Sequence, residues 1–176
     1  DAGRSFYKAF REAAIGAGLK ENEIMKSLYA YSLDGDIKVI CGTRVDDLLY
    51  AMEPDYQYII TNLLEQFEIK ETKTRQFRFC GREYEQLEDF SIKITAKDNT
   101  ETIKPISYTI GNRSGESKAT PGEISQLRSV NGSIGWIARQ CRPEKTYICS
   151  KLQSIVNIAK VKHLEMANQT LQEMKD

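Results

Sequence analysis

Three extended apolar runs separated by two acidic turns constrain the fold of this chain more than any other feature of its sequence. The runs cover residues 27–33, 37–43 and 48–51 and are rich in aliphatic and aromatic residues. Asp34-Gly35-Asp36 separates the first two and is a strong turn signal between strands. Arg44-Val45-Asp46-Asp47 separates the second from the third. The pattern predicts antiparallel hairpins, with two carboxylates at the tip of the second hairpin.

Apolar residues at helical spacing lie on both sides of these runs. The stretch before the first run places five apolar residues on one helical face: Phe6, Phe10, Ala13, Ala14 and Ala17. Gly16 and Gly18 then indicate the end of that helix. Pro54 predicts the start of a second helix, whose apolar stripe contains Tyr56, Ile59, Ile60, Leu63, Leu64 and Phe67.

The second half of the chain changes from strands to helices. Two further strands are predicted near residues 77–86 and 90–95, with a turn at Leu87-Glu88-Asp89. Residues 111–122 are polar, rich in Gly and Ser, and predict a linker or mobile loop. Three helices follow: one over residues 123–140, one that begins or bends at Pro143, and one that ends the chain. The order of elements predicts an α+β fold with a helical C-terminal region.

Charge and cysteine content argue against several classes of protein. Lys+Arg and Asp+Glu both number 25, so the chain lacks the basic excess of a free-standing nucleic-acid-binding protein. None of the four cysteines has C-x-x-C spacing and there is one histidine, so a zinc site is not expected. No apolar run is long enough for a transmembrane helix. Free thiols without a signal peptide predict a cytoplasmic or nuclear protein with no membrane partner.

Asp46 and Asp47 are the strongest candidates for chemistry. Two adjacent carboxylates at a strand turn can hold Mg²⁺, which binds one or two carboxylates together with water and substrate phosphates. In two-metal phosphoryl transfer, such ions activate the attacking oxygen and stabilise the leaving oxygen. Most Asp-Asp pairs are solvated turn residues, and the pair alone leaves both interpretations open.

The residues around this pair resemble those of copia-type retrotransposon reverse transcriptases. Val45-Asp46-Asp47-Leu48-Leu49 resembles the catalytic hairpin of that family. Other segments resemble family motifs in the expected order: Asp1-Ala2-Gly3-Arg4-Ser5-Phe6-Tyr7, Phe67-Glu68-Ile69-Lys70, Phe79-Cys80-Gly81-Arg82-Glu83, and residues 127–136 followed by Arg142-Pro143-Glu144. Each motif alone is modest, but together they cover nearly the whole chain.

The resemblance implies an RNA-directed DNA polymerase, of which this chain is the C-terminal palm and the thumb or connection region of the Pol polyprotein. Residues 1–106 would form a partial palm, residues 107–122 a polar loop or linker, and residues 123–176 a helical thumb-like region. Asp46 and Asp47 would be catalytic ligands of Mg²⁺, with Asp46 the better ligand. The residues near the RNA or DNA primer–template would be Arg44, Phe79, Gly81 and Arg82.

The same resemblance implies parts that this sequence does not contain. The first catalytic aspartate and the fingers of the family lie upstream of the position of Asp1. Arg44, Ala96, Asn99 and Glu144 also differ from the common family residues. We therefore expect the 176 residues alone not to polymerise DNA. The missing N-terminal half, or another protein partner, would cover the apolar surface and sheet edge of a truncated palm.

An alternative is a retained, non-catalytic binding or structural subunit that derives from such an element. The neutral net charge and the absent catalytic half favour this interpretation.

Three other features are assigned from the sequence alone. Trp136 lies between Ile134 and Ile137, and this position predicts that its side chain packs inside the protein rather than stacking on a nucleic-acid base. We interpret His163 as an ordinary histidine on the surface of a helix. The cluster of Lys70, Lys73, Arg75, Arg78 and Arg82 fits a phosphate-binding surface and an ordinary solvated one equally.

Overall fold

A computed structural model describes residues 2–175 of the chain. They form two compact units, one extending to Thr74 and one beginning at Arg75. Asp1, the first residue of the segment that resembles a family motif, lies outside the described residues. The two small sheets and six helices confirm an α+β fold. The assignment of palm and thumb within that fold stays a prediction.

The first unit contains one antiparallel sheet and two helices. Its elements in chain order are α1 (Ala2–Gly16), β1 (Lys20–Glu21), β2 (Leu28–Leu33), β3 (Asp36–Arg44), β4 (Asp47–Met52), a short 3₁₀ turn (Pro54–Tyr56) and α2 (Gln57–Leu64). The strands lie in the order β1-β2-β3-β4. The predicted order of helix, hairpins and helix is confirmed, and the two-residue strand β1 is an addition that the sequence did not predict.

Helix α1 ends in a Schellman motif at Gly18. The Leu19 amide donates to the Ala14 carbonyl and the Gly18 amide to the Ile15 carbonyl, both at 3.0 Å. Gly18 has φ +90°, a conformation that glycine adopts without steric cost. The chain therefore reverses at the predicted position and brings the buried Leu19 side chain back onto the helix.

The core of the first unit lies between the two helices and one face of the sheet. Side chains alternate between the two faces along a strand, and Tyr29, Val39 and Cys41 point from β2 and β3 into this core. Helices α1 and α2, together with Leu19 in the turn after α1, supply the other members: Phe10, Ala13, Ala14, Leu19, Ile59, Ile60 and Leu63. Burial raises the pKa of the Cys41 thiol to about 12, so this cysteine is an unreactive core residue.

The second unit combines a three-stranded antiparallel sheet with four helices. Its elements are β5 (Gln76–Phe79), β6 (Arg82–Gln86), β7 (Ile92–Thr95), α3 (Lys97–Thr102), α4 (Pro121–Gln140), α5 (Thr146–Ile155) and α6 (Val161–Lys175). The single strand predicted over residues 77–86 is wrong, because Cys80-Gly81 forms a two-residue turn that joins β5 to β6. The short helix α3 was also not predicted.

An extended segment between α3 and α4 is held by two amide side chains. Asn168 on α6 accepts from the Ile106 amide at 2.7 Å and donates to the Ile106 carbonyl at 2.9 Å. Gln126 on α4 makes the same pair of hydrogen bonds to the Ser107 backbone, at 2.8 and 3.3 Å. The side chains thus replace the neighbouring strand that an extended backbone otherwise needs. Ile106 is buried in the helical core. The boundary predicted between residues 1–106 and the polar loop that follows them therefore lies inside the second unit.

A loop was predicted over residues 111–122; the structure has it over residues 111–120, because Pro121 and Gly122 already belong to α4. The loop lies within one unit rather than between two. Arg113 donates to the buried Glu123 carboxylate from Nη1 and Nη2 of its guanidinium group, at 2.7 and 2.9 Å. This contact lowers the pKa of Glu123 to about 2. Thr120 and Glu123 form a capping box at the start of α4. The loop is therefore joined to α4 by an ion pair that also stabilises the helix terminus.

The Arg142-Pro143-Glu144 motif stabilises the end of α6. Arg142 donates to the carbonyl groups of Glu173 and Met174, at 3.1 and 3.4 Å, and its Nε donates to Glu144. A cation near the last carbonyl groups of a helix satisfies unpaired acceptors and opposes the helix dipole. In this structure the motif therefore acts as a helix cap.

No helix within residues 2–175 is long and apolar enough to cross a membrane.

His163 has a structural role that the surface interpretation missed. Its Nδ1 accepts a hydrogen bond from the Lys160 amide at 3.0 Å, which is the position that Glu or Gln occupies in a capping box. Burial, followed by the charges of Lys162 and Lys160, lowers the pKa of His163. The neutral imidazole is therefore the form that the folded unit favours.

We expect the stability of the second unit to fall as the pH drops below about 6.5, the ordinary value for histidine. A lowered folded-state pKa means that the unfolded chain binds the proton first, so stability is full above the unfolded pKa and is lost as pH falls through the folded value. Denaturation followed by the fluorescence of the single Trp136 between pH 7.5 and 5.5 measures this loss. His163→Gln keeps the acceptor without the titration and should flatten the profile. Equal slopes in both proteins would contradict the assignment.

Candidate functional site

Asp46 and Asp47 lie at the exposed tip of the hairpin formed by β3 and β4. Strand β3 ends at Arg44, Val45-Asp46 forms the two-residue turn, and β4 begins at Asp47, which pairs with Arg44. All four side chains are exposed. Within the described residues, neither carboxylate takes part in an ion pair or side-chain hydrogen bond. The sequence therefore predicted the position of the carboxylates in the hairpin correctly.

Val45 carries backbone strain directly beside the two carboxylates. Its φ is +58°, in the left-handed region where a β-branched residue is an outlier. The first central position of such a two-residue turn ordinarily favours glycine. The Val45 side chain is 70% exposed, so little packing energy offsets the strain. The turn holds its conformation because the paired strands on both sides fix it.

The metal-binding capacity of the tip is limited to these two aspartates. Among residues 2–175 no three His, Cys, Asp or Glu side chains lie close enough together to hold a metal ion. Asp34, in the turn before β3, and Asp36, the first residue of β3, lie at the opposite end of that strand and so do not extend the pair. Asp46 and Asp47 offer hard oxygen ligands, which suit Mg²⁺ shared with phosphate groups better than a closed protein site.

The turn between β5 and β6 is built against two neighbouring helices. Asn99 on α3 donates to the Gly81 carbonyl at 2.7 Å and accepts from the Arg78 guanidinium at 2.8 Å. A Cβ atom at Gly81 would lie 3.2 Å from the Asn99 amide nitrogen and 3.3 Å from the Trp136 ring. Trp136 also packs on the helical core, which confirms the prediction of a packing role. The turn therefore has a fixed position within the second unit.

Arg82 and Phe79 lie on one face of the three-stranded sheet, beside two stacked aromatic rings. Phe77 and Tyr84 are stacked with centroids 5.4 Å apart, and Phe79 meets the edge of Tyr84 at 6.4 Å. The Arg82 guanidinium carbon lies 5.5 Å from the Tyr84 centroid, within the range of a cation–π contact. Both Arg82 and Phe79 are half-buried. Arg82 is thus oriented by an aromatic ring as well as by its strand.

The predicted site residues divide between the two units. Arg44, Asp46 and Asp47 belong to the first, and Phe79, Gly81 and Arg82 belong to the second. Sequence reasoning missed Asn99, which was noted only as a departure from the family pattern. Its role depends on a contact 18 residues away, with the Gly81 carbonyl, and no local pattern signals such a contact. Comparison with protein-family models, characterised proteins and solved structures finds no match to this chain.

Replacement of Val45 by Gly should stabilise the hairpin by about 0.5 to 1 kcal/mol. Glycine removes the cost of the left-handed backbone, about 1–2 kcal/mol. Part of this gain is offset because glycine also raises the conformational entropy of the unfolded chain. Hydrogen exchange of the β3 and β4 amides measures the change. Val45→Ala keeps a Cβ atom at positive φ and should give no comparable gain. A gain from alanine equal to that from glycine would show that the backbone is not the cause.

Replacement of Gly81 by Ala should destabilise the second unit by roughly 2 kcal/mol. The new Cβ meets strain at φ +77° and close contact with Asn99 and Trp136. Denaturation monitored by Trp136 fluorescence measures the loss. Gly132→Ala is the matched control, because Gly132 lies in α4 with open space around it and alanine favours helix there. Similar stability of both variants would contradict the packing of this turn.

Proposed function

We propose that this chain is the C-terminal palm and thumb part of a copia-type reverse transcriptase, and that it contributes to template-directed addition of deoxynucleotides. The observation that carries the proposal is the exposed Asp46-Asp47 pair at a hairpin tip. The surrounding Val-Asp-Asp-Leu-Leu sequence and the ordered family motifs support it. The role assigned to the pair is to hold Mg²⁺ together with the phosphates of an incoming nucleotide.

The number of ligands limits what these residues do by themselves. Two metal ions beside a triphosphate need more anionic ligands than Asp46 and Asp47 provide, and the rate depends on their relative positions. The same proposal therefore assigns no polymerase activity to the 176 residues alone. A further carboxylate and the nucleotide-binding surface come from the N-terminal half of the polymerase.

The second unit has features suited to the backbone of a primer–template. Arg82 presents a guanidinium held over the Tyr84 ring, and arginine binds phosphate oxygens in a bidentate manner. The turn at Gly81 is fixed by Asn99 and Trp136, so a bound strand would meet a preorganised surface. The assignments of Phe79, Gly81 and Arg82 to the primer, and of Arg44 to the same nucleic acid, belong to this proposal.

A retained, non-catalytic subunit of the same origin is the second candidate. The observation in its favour is strand β4, which is the edge of its sheet and follows Asp46 directly. An edge strand presents unpaired backbone groups that another chain can pair with. In this candidate the hairpin binds a partner strand and needs no metal ion.

Metal binding at the hairpin tip tests the proposal. We expect Mn²⁺, added to the isotopically labelled chain with an RNA–DNA hybrid, to broaden the amide signals of residues 44–48. In Asp46→Asn the same broadening should need about tenfold more Mn²⁺, because one carboxylate ligand is lost. Asp34→Asn is the matched control in the other two-residue turn of β3 and should behave as the unchanged chain. Broadening that is insensitive to Asp46→Asn would contradict the proposal.

Primer extension on an RNA template with Mg²⁺ or Mn²⁺ tests the lack of independent activity in the same samples. Neither the chain nor Asp46→Asn should give product. Extension that disappears in Asp46→Asn would keep the polymerase assignment and overturn the requirement for an N-terminal half.

A further inference from the structure

A polar groove with a volume of about 580 Å³ lies between helices α4 and α5 of the second unit. Gly132 and Gly135 of α4 line one side of it, and a Cβ atom at Gly132 would meet no atom within 4 Å. The volume falls in the range of about 300–1,000 Å³ that is typical of small-molecule sites. The groove shares no residue with the positions assigned to Mg²⁺ or to the primer–template.

The side of the groove that α5 forms carries hydroxyl and amide groups. Thr146, Ser150 and Ser154 follow one another at a spacing of four residues, which places them on one face of the helix. Gln153 adds a side-chain amide to this wall. Within residues 2–175, no aromatic or large aliphatic side chain lines the groove. A molecule that fits such a lining is hydrophilic, because there is no apolar surface on which a hydrophobic molecule could pack.

Arg139 supplies the positive charge of the groove from the last turn of α4. A Cβ atom at Gly135 would lie 3.7 Å from Arg139 Nη1 and 3.9 Å from Cys149 Cβ, so the guanidinium extends back along the groove. No acidic side chain lines the groove, and within the described residues Arg139 takes part in no ion pair. The guanidinium donors match the oxygen atoms of a phosphate or carboxylate group, so the charge favours an anion.

Asn131 has one hydrogen-bonding atom that lacks a partner. Its Nδ2 donates to the Cys149 carbonyl and to Gln153 Oε1, both at 3.1 Å, and so joins the two helices. Its Oδ1 accepts no hydrogen bond from the described residues, although the residue is only 3% exposed. A buried acceptor ordinarily has a donor from the protein, from water or from a ligand. Since Asn131 lines the groove, a molecule in the groove is the available source of that donor.

Cys149 lies beside both Asn131 and Arg139 but is not suited to act as a nucleophile. The residue is buried, and burial raises the pKa of its thiol, while the charge of Arg139 acts against this rise. The thiolate is the reactive form of cysteine, and a raised pKa keeps the thiol protonated at neutral pH. Cys149 therefore belongs to the wall of the groove and contributes no covalent chemistry.

We propose that the groove between α4 and α5 binds a small hydroxylated anion of the sugar phosphate or sugar acid class. The anionic group lies against the Arg139 guanidinium. Hydroxyl groups of the ligand exchange hydrogen bonds with Thr146, Ser150 and Gln153, and one of them supplies the donor that Asn131 Oδ1 lacks. The expected dissociation constant is about 0.1–1 mM, because the exposed site offers a single charge and no apolar surface. This inference does not rest on the proposed function.

Titration of the isotopically labelled full chain with glucose 6-phosphate tests the proposal. We expect saturable shifts of the amide signals of residues 131–154, including the side-chain amide of Asn131. Glucose alone carries the hydroxyl groups and inorganic phosphate alone carries the charge, so each should bind at least about tenfold more weakly. Gluconate replaces phosphate by carboxylate, and its affinity relative to glucose 6-phosphate identifies the preferred anionic group. Absence of saturation with both sugar anions, or equally tight binding of inorganic phosphate, would overturn the proposal.

Three variants connect any binding to this groove. Arg139→Gln should raise the dissociation constant by at least about tenfold, because the only cation of the lining is lost. Arg128→Gln is the matched control on the same helix, since Arg128 lies outside the groove and bonds to Asn157. Gly132→Leu fills the open space with a residue that favours helix, and should prevent binding while the unit stays folded. Equal affinities of the two arginine variants, or full binding by Gly132→Leu, would show that the ligand binds elsewhere.

Discussion

The alternation of side chains along β3 is the constraint on which the first unit depends. This strand is paired on both edges, so its register fixes β2 and β4 as well. Val39 and Cys41 enter the core because they point to the helical side, and Ile40 between them points to the outer side. The bulge near Lys38 puts Ile37 on the same side as Ile40. A slip of one residue would exchange the two faces, and the buried surface against α1 and α2 opposes such a slip.

The second unit depends on a different kind of interaction. Several of its connecting segments have no neighbouring strand or helix to satisfy their backbone groups, and polar side chains supply the hydrogen bonds instead. Asn168 and Gln126 pair with the extended segment, Asn99 with the Gly81 turn and Arg142 with the end of α6. Each of these contacts is directional, so the residues between helices have one position rather than several. The preorganised turn at Gly81 is a product of this arrangement.

Local signals in the sequence were sufficient for much of the fold. Asp34-Gly35 and Val45-Asp46 were recognisable as turns because apolar runs flank both, and the helices followed from apolar spacing. The break at Cys80-Gly81 was missed because strand-like residues continue on both sides of it. The strand β1 was missed because two residues carry no periodicity. The capping role of His163 was missed because histidine at that position has no common sequence signature. The exposed position of Asp46 and Asp47 was predictable, but the contacts that fix Gly81 come from residues distant in sequence.

The hydrogen bonds between Asn168 and Ile106 have a consequence for the order in which the chain folds. They join residues 62 positions apart, whereas the strand pairs of the first unit connect near neighbours in sequence. Contacts between near neighbours form with a small loss of loop entropy, and contacts of long sequence separation form later. During synthesis the first unit can become native while the second is still emerging from the ribosome. The second unit cannot close around its extended segment until α6 is complete, which leaves the apolar side of α4 exposed for longer.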